Sequence, residues 1–286
     1  MLIKRNVRLF FRDRANVFFS LLGTLIIFLL YVLFLGNLLE GGLRASLGYD
    51  SDLIRPTMAS LILGGMVAVT SVTSCLGALE TRVTDRGAAG RDFLTSPISR
   101  GKLTRSYMLG SAVVGLIMTA IILALSVAYI AAVGGSLPSI ADWAHLALTV
   151  VLSVLCGNAI VFFVTAFLKS PGAFASMSAV IGSLIGFIMG IYIPIGTLPE
   201  AVQWVVRLFP MSHAASMFRQ ILADGPLLAL FEGAPPEVLE GFRETYGVVL
   251  HYGDFVSGFW SSAAVLAATT LVFYALSVVV VGRQRG

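Results

Sequence analysis

Six stretches of this chain, at about residues 17–37, 56–79, 105–133, 143–168, 172–195 and 257–281, run for 20 residues or more with no Asp, Glu, Lys or Arg in their central parts. About 20 apolar residues rising 1.5 Å each cross the ~30 Å hydrocarbon core of a bilayer. In that medium every backbone N–H and C=O has to be satisfied within the protein, so only helices and closed barrels span it. The runs are too long for barrel strands. The chain is therefore expected to be an all-α membrane protein, one transmembrane domain over 1–286 with about six transmembrane helices. Composition excludes the soluble alternative: 12% of the 286 residues are charged, about half the share a globular domain carries.

The charges that exist sort by loop. Lys4, Arg5, Arg8, Arg12, Arg14, Arg82, Arg86, Arg91, Arg100, Lys102, Arg105, Lys169, Arg283 and Arg285 fall in one set of loops, and Arg44, Arg55, Arg207, Arg219 and Arg243 in the other, with most of the acids. Basic residues are retained on the cytoplasmic side. This places both termini and the 80–104 segment in the cytoplasm, the 196–256 segment outside, and a multi-pass chain in the plasma (inner) membrane. The net charge of +4 thus reports loop placement and not affinity for nucleic acid. The residues before the first run are expected to be retained, since no small-residue cleavage site follows cleanly. Ser170-Pro171-Gly172 breaks the chain and makes the fourth and fifth spans a hairpin. Cys75 and Cys156 sit in apolar runs as small hydrophobes.

Three segments are not spans. Residues 2–14 read as an amphipathic surface helix, with Ile3, Val7 and Phe10 on one stripe and Lys4, Arg8 and Arg12 on another. The 80–104 segment sets Phe93 and Leu94 within a collar of charge formed by Arg86, Arg91 and Asp92, ahead of a helix start at Ser96-Pro97. An apolar knob in such a collar suits docking of another protein. The 196–256 segment predicts a re-entrant helix pair between the fifth and sixth spans. A capping box from Thr197 to Glu200 opens the first helix and Pro210 ends it; the second runs from Met211 to about Ala223, stopped by Asp224-Gly225-Pro226, and an acidic external cap follows.

Absences narrow the chemistry. No Gly-x-x-x-x-Gly-Lys-[Ser/Thr] loop occurs, so the energy of an ATP-driven process has to come from another chain. The centres of the six runs hold no carboxylate, which argues against ion coupling. His145, His213 and His251 match no metal spacing and read as interfacial or surface histidines. No nucleophile pairs with a base, so neither catalytic nor metal-ligating residues are expected. Gly182, Gly186 and Gly190 recur every fourth position on the fifth span, a stripe that permits close helix approach.

The run Gly190-Ile191-Tyr192-Ile193-Pro194-Ile195-Gly196-Thr197-Leu198-Pro199, with Leu208-Phe209-Pro210 after it, resembles the signature of type 2 permeases of the ATP-binding-cassette (ABC) transporter family. Leu94-Thr95-Ser96-Pro97-Ile98-Ser99-Arg100 resembles the same family's cytoplasmic segment before the third span. The small, basic Arg86-Gly87-Ala88-Ala89-Gly90-Arg91 departs from the family's acidic-rich stretch at that point.

The resemblance implies a permease subunit, not an enzyme, that pairs with a second copy or a close relative and with separate ABC ATPase subunits, which bind ATP and Mg²⁺. It implies no cofactor in this chain. Coupling to the ATPase would fall to Arg86, Arg91, Asp92, Phe93 and Leu94, with Arg8 and Arg12 of the surface helix. An external gate would be built at Pro194, Leu198, Pro199 and Pro210. A path would be lined by Phe28, Tyr31, Thr70, Ser74, Met189 and Tyr192, which offer aromatic and polarisable surface with hydroxyls and no charge. Such a lining suits export or efflux of amphipathic small molecules such as drugs or peptide antibiotics, as in multidrug or antibiotic resistance. Export of lipid or lipid-linked glycan, and a sensor or immunity subunit of the same fold, are the alternatives.

Overall fold

The computed structural model describes residues 2–85, 100–168 and 170–283, the side chains of Arg100 and of 281–283 excepted. The chain is almost wholly helical. In order it forms α1 (Leu2–Arg12), α2 (Arg14–Leu30), a π turn (Tyr31–Leu35), α3 (Gly36–Leu47), α4 (Ile54–Asp85), α5 (Arg100–Ala132), α6 (Ile140–Ala166) and α7 (Pro171–Ile188). A 3₁₀ turn (Ile195–Thr197), α8 (Glu200–Leu208), α9 (Pro210–Leu230) and α10 (Pro236–Thr245) come next, then the two-residue strands β1 (His251–Tyr252) and β2 (Phe255–Val256), and α11 (Phe259–Arg283). Among the described residues six helical stretches are long and apolar enough to cross a membrane: Arg14–Leu47, Ile54–Asp85, Gly101–Ala132, Ile140–Ala166, Pro171–Ile188 and Phe259–Val280. The protein is an all-α membrane protein.

Local chemistry sets the breaks. Asp13 separates α1 from α2 by accepting the Asn16 N–H at 3.1 Å. Ser139 and Asp142 cap each other's backbone at the start of α6. Ser170 caps α7 with Pro171 in the first position, where its missing N–H costs nothing. The π turn at Tyr31 is accommodated by Gly36, whose N–H reaches the Tyr31 carbonyl and where a Cβ would sit 2.9 Å from that oxygen.

α4 is the centre of the bundle: 89% of its most apolar stretch is buried, against 17% for α7 and for α11. It packs on α2, α5, α6, α7 and α9. A helix surrounded on all sides has to satisfy its own hydroxyls, and Ser60, Thr70 and Ser74 each donate back to the carbonyl four residues earlier at 2.6–2.9 Å. Thr70 also meets Thr24 of α2 at 3.0 Å. Across the α4, α5 and α6 contact a Cβ on Gly115 would stand 2.6 Å from Cys75 Sγ, so only glycine permits that approach. Asn158 of α6 closes the same contact, donating to Met108 O and accepting from Ser111 Oγ at 2.9 and 2.7 Å.

The three tryptophans are half-exposed, Trp143 and Trp260 at the starts of α6 and α11 and Trp204 in the middle of α8, at the end of the bundle opposite the chain termini. His145 stacks edge-on with Phe259 and Trp260 there. Exposed indoles at the ends of membrane helices are characteristic of a membrane–water interface.

The structure corrects several sequence expectations. Glu80 and Arg82 are not in a loop, because α4 continues to Asp85. Arg82 is buried, donating to Thr165 Oγ1 at 2.8 Å and Phe162 O at 3.3 Å and lying over the Phe162 ring. α7 stops at Ile188 and not at 195, since Gly190 adopts φ +62 and turns the chain. Thr197 caps nothing: its hydroxyl donates to Pro194 O, and Pro199 occupies the cap position of α8. α9 runs through Asp224-Gly225-Pro226 to Leu230, because Pro226, Leu227 and Leu230 are buried and the last two pack beside Leu43, Ile54 and Met58, which outweighs the lost hydrogen bond at proline. Ile3 is exposed; α1 is seated by Asn6 and Phe10, against Ser106, Val114 and Met118 of α5.

Candidate functional site

The segment from Met189 to Pro210, where a gate was expected, reverses the chain between α7 and α9. Pro194 leads into the 3₁₀ turn, Leu198 packs with Ile195, Val206 and Leu250, Pro199 precedes α8, and Pro210 takes the first position of α9. Those four residues frame the turn. What holds it is a residue the sequence reading left among the loop charges.

Arg219, in the middle of α9, is 1% exposed. Its Nη2 donates to Met189 O at 2.6 Å and Gly190 O at 3.1 Å, its Nε to Leu61 O at 3.0 Å and its Nη1 to Gly247 O at 3.4 Å. Met189 and Gly190 end α7, where unpaired carbonyls concentrate negative partial charge. A planar fork of donors is suited to collecting several carbonyls at once. Space for it comes from glycine: a Cβ on Gly65 would lie 2.8 Å from Nη2, and one on Gly247, itself at φ +65, 3.0 Å from Nη1. One side chain thus binds α4, the end of α7 and the segment after α10 to α9. The signal in the sequence was an arginine enclosed by Phe218 and Ile221 with no acid within a turn, and an ionisable residue in apolar surroundings is a functional candidate by default.

His213 corrects the expectation of a surface histidine. It is 5% exposed in the first turns of α9. Tyr252 spends its proton on Arg207 O at 2.5 Å, so its oxygen accepts from His213 Nε2 at 2.9 Å, and Nδ1 accepts from Ser262 Oγ at 3.1 Å. Burial lowers the imidazole pKa to about 4, which keeps this ring neutral. Ion pairs Arg207–Glu244 (3.2 Å) and Arg243–Asp224 (2.9 Å) tie α8 and α9 to α10.

Of the six expected path residues, Tyr31, Thr70, Ser74 and Met189 are buried within this chain. Phe28 and Tyr31 contact Tyr129 of α5, with centroids 5.4 and 6.2 Å apart. Thr70 and Ser74 are occupied by hydrogen bonds inside the bundle. Tyr192 lies against Gly186, where a Cβ would stand 2.3 Å from its ring. In this conformation the four buried residues line no surface: Thr70 and Ser74 are on α4, which the other helices surround, and Tyr31 and Met189 pack into the same core. The glycine stripe likewise divides: Gly186 is packed, Gly190 forms the turn, and Gly182 has open space around its Cα.

At the termini end, α1 is fixed to the bundle by Arg5–Asp85 (3.4 Å), and the Tyr107 hydroxyl donates to the same carboxylate at 2.5 Å. Arg8 and Arg12 are exposed. A groove of about 490 Å³ separates α1 from the last turns of α4, edged by Arg5, Leu9, Arg12, Asp13, Glu80 and Asp85. Arg86, Arg91, Asp92, Phe93 and Leu94, and the helix start at Ser96-Pro97, lie outside the described residues. Among the described residues no three His, Cys, Asp or Glu side chains converge as a metal site.

No curated protein matches the chain. The model of the family described as ABC-2 type transporter matches residues 1–223 of the 286. With six helices among the described residues long and apolar enough to cross a membrane, the chain belongs to the ABC-2 type transporter family and is a transmembrane permease component of an ABC transporter, distinct from the ATPase its family works with.

Proposed function

We propose that this permease exports amphipathic small molecules, drugs or peptide antibiotics, as one of two copies driven by separate ABC ATPase subunits. ATP and Mg²⁺ are bound by those subunits. Both termini and the groove beside α1 face the cytoplasm of the plasma membrane, and the Trp-ringed end faces outward. The observation that carries this reading is the closure of the Trp-ringed end by α9, which is inserted among α4, α6 and α11 and latched by Arg219.

α4 supplies the mechanical link. Its Asp85 holds α1 at one end and its Leu61 carbonyl and Gly65 receive Arg219 near the other, about 36 Å apart on one continuous helix. An ATPase seated on α1 and on the residues after Asp85, with Phe93 and Leu94 in its cleft, therefore moves the same helix that holds the gate. Movement of α4 releases Arg219 from its carbonyls, frees α9 and uncovers the hydroxyl and aromatic side chains now buried around Thr70. The exposed apolar faces of α2 and α7, including Phe18, Phe19, Leu184 and Phe187, are where the second copy packs.

The test is reconstitution with the cognate ATPase in vesicles, with uptake of a fluorescent amphipathic cation followed with ATP present. ATP-dependent accumulation in inside-out vesicles, lost with an ATPase unable to hydrolyse, supports the reading. An ATPase that neither co-purifies nor changes amphiphile flux sinks it.

A further inference from the structure

At the termini end, on the face away from α1, α5 and α11 both pack on α6 and leave a crevice of about 330 Å³ between them. Its walls are Thr104, Arg105 and Met108 of α5 and Tyr274, Ser277 and Val278 of α11, and its floor is Phe162 of α6. Three observations on these residues converge. The lining is mostly apolar and, among the described residues, contains no Asp or Glu. Arg105 stands exposed on the wall, one turn after Lys102 on the same face, and the Arg82 guanidinium lies 4.0 Å from the centroid of the floor's Phe162 ring. Ser277 is 2% exposed, and its Oγ has no hydrogen-bond partner among the described residues. A serine in a membrane helix ordinarily returns its proton to a carbonyl of the preceding turn, as Ser126 and Thr270 do here. A buried hydroxyl left unmatched costs about 1–3 kcal/mol; Thr73 and Thr119 are unmatched too, but Ser277 borders the crevice, from which an acceptor can reach it.

We propose that this crevice binds an anionic phospholipid from the leaflet at the termini end. One acyl chain lies over Phe162 between Met108 and Val278, the Ser277 hydroxyl donates to an ester carbonyl, and the phosphate is held by Arg105. Basic pockets between membrane helices select acidic headgroups by this charge complementarity, and the narrow apolar slot takes a chain and not a folded partner. The site does not depend on transport direction or substrate.

The three native tryptophans all lie at the opposite end, so with the quenching of the wild-type protein subtracted a tryptophan placed in the crevice reports it locally. The Tyr274→Trp protein, reconstituted in phosphatidylcholine vesicles, is titrated with phosphatidylglycerol or phosphatidylcholine brominated on the acyl chains. Phosphatidylglycerol is expected to quench the new tryptophan at about fivefold lower mole fraction, the equivalent of one basic contact, with the advantage shrinking at high salt. Arg105→Gln removes the advantage and Arg105→Lys keeps it. If Tyr274→Trp does not fold, Val278→Trp serves as the reporter. Equal quenching by the two lipids, or an advantage that survives Arg105→Gln, overturns the proposal, as does quenching half-reversed by inorganic phosphate at millimolar concentration, which would make the site one for the free anion.

Discussion

Nη2 of Arg219 and the carbonyl oxygen of Met189 stand 2.6 Å apart across 30 residues of sequence, and this bond joins the middle of α9 to the end of α7. Replacing Arg219 by Met leaves four buried carbonyls without this donor, at a cost of about 3 kcal/mol or more. The expected outcome is a clear drop in the thermal unfolding midpoint of the detergent-solubilised protein, with Arg219→Lys intermediate because a point charge reaches fewer of the carbonyls at once. A Met variant as stable as the wild type would show that the latch contributes nothing.

The glycines of α7 give a matched pair. Gly186→Ala drives a methyl into the Tyr192 ring, whereas Gly182→Ala meets nothing within 4 Å. The first should destabilise by about 1–3 kcal/mol and the second by less than about 0.5 kcal/mol. Tyr192→Leu combined with Gly186→Ala should recover part of the loss, which a double-mutant cycle measures directly.

Burial of Thr70, Ser74, Tyr31 and Met189 predicts their behaviour as single cysteines in a chain lacking Cys75 and Cys156. A polar thiol reagent should leave all four unlabelled in the resting protein. Labelling of Thr70→Cys or Ser74→Cys when the ATPase is held in its nucleotide-bound state is the expected sign that the bundle opens along α4. Labelling at rest would contradict the packing of α2 and α5 over that helix.

The buried His213 makes stability depend on pH. Its pKa is about 4 in the fold against about 6.5 in an unfolded chain, and burial is the main cause. The unfolded state therefore takes up a proton first. The contribution is complete above about pH 6.5 and is lost as pH falls from there towards 4, by on the order of 3 kcal/mol. His213→Gln should flatten that part of the pH–stability curve, and an unchanged curve would place the acid sensitivity elsewhere.

Phe93 and Leu94 are proposed to fill a cleft on the ATPase. Each such side chain stabilises a contact by about 1.5–3 kcal/mol when buried. Phe93→Asp should release the ATPase during purification while the permease elutes as before, and undiminished co-purification would exclude this contact.

Much of this architecture follows from the chain alone. Charge-free runs of 20 residues have one stable solution in a bilayer, and Ser139, Ser170 and Pro171 stop and start helices through atoms within three or four residues. That the protein is a helical bundle with six crossing segments, and that it has the order of segments of an ABC permease, is local information. What the tertiary structure decided is which polar atoms meet. Arg219, His213 and Arg82 were placed on surfaces by their type, yet each is buried, because its partners are carbonyls and hydroxyls 28 to 158 residues away that no pattern announces. The path residues were chosen for their chemistry, and packing hid four of them, Thr70 and Ser74 because other helices close around α4 and Tyr31 and Met189 because they join the same core. Periodicity specifies the face a helix turns towards its neighbours; only the assembled bundle specifies which neighbour is there.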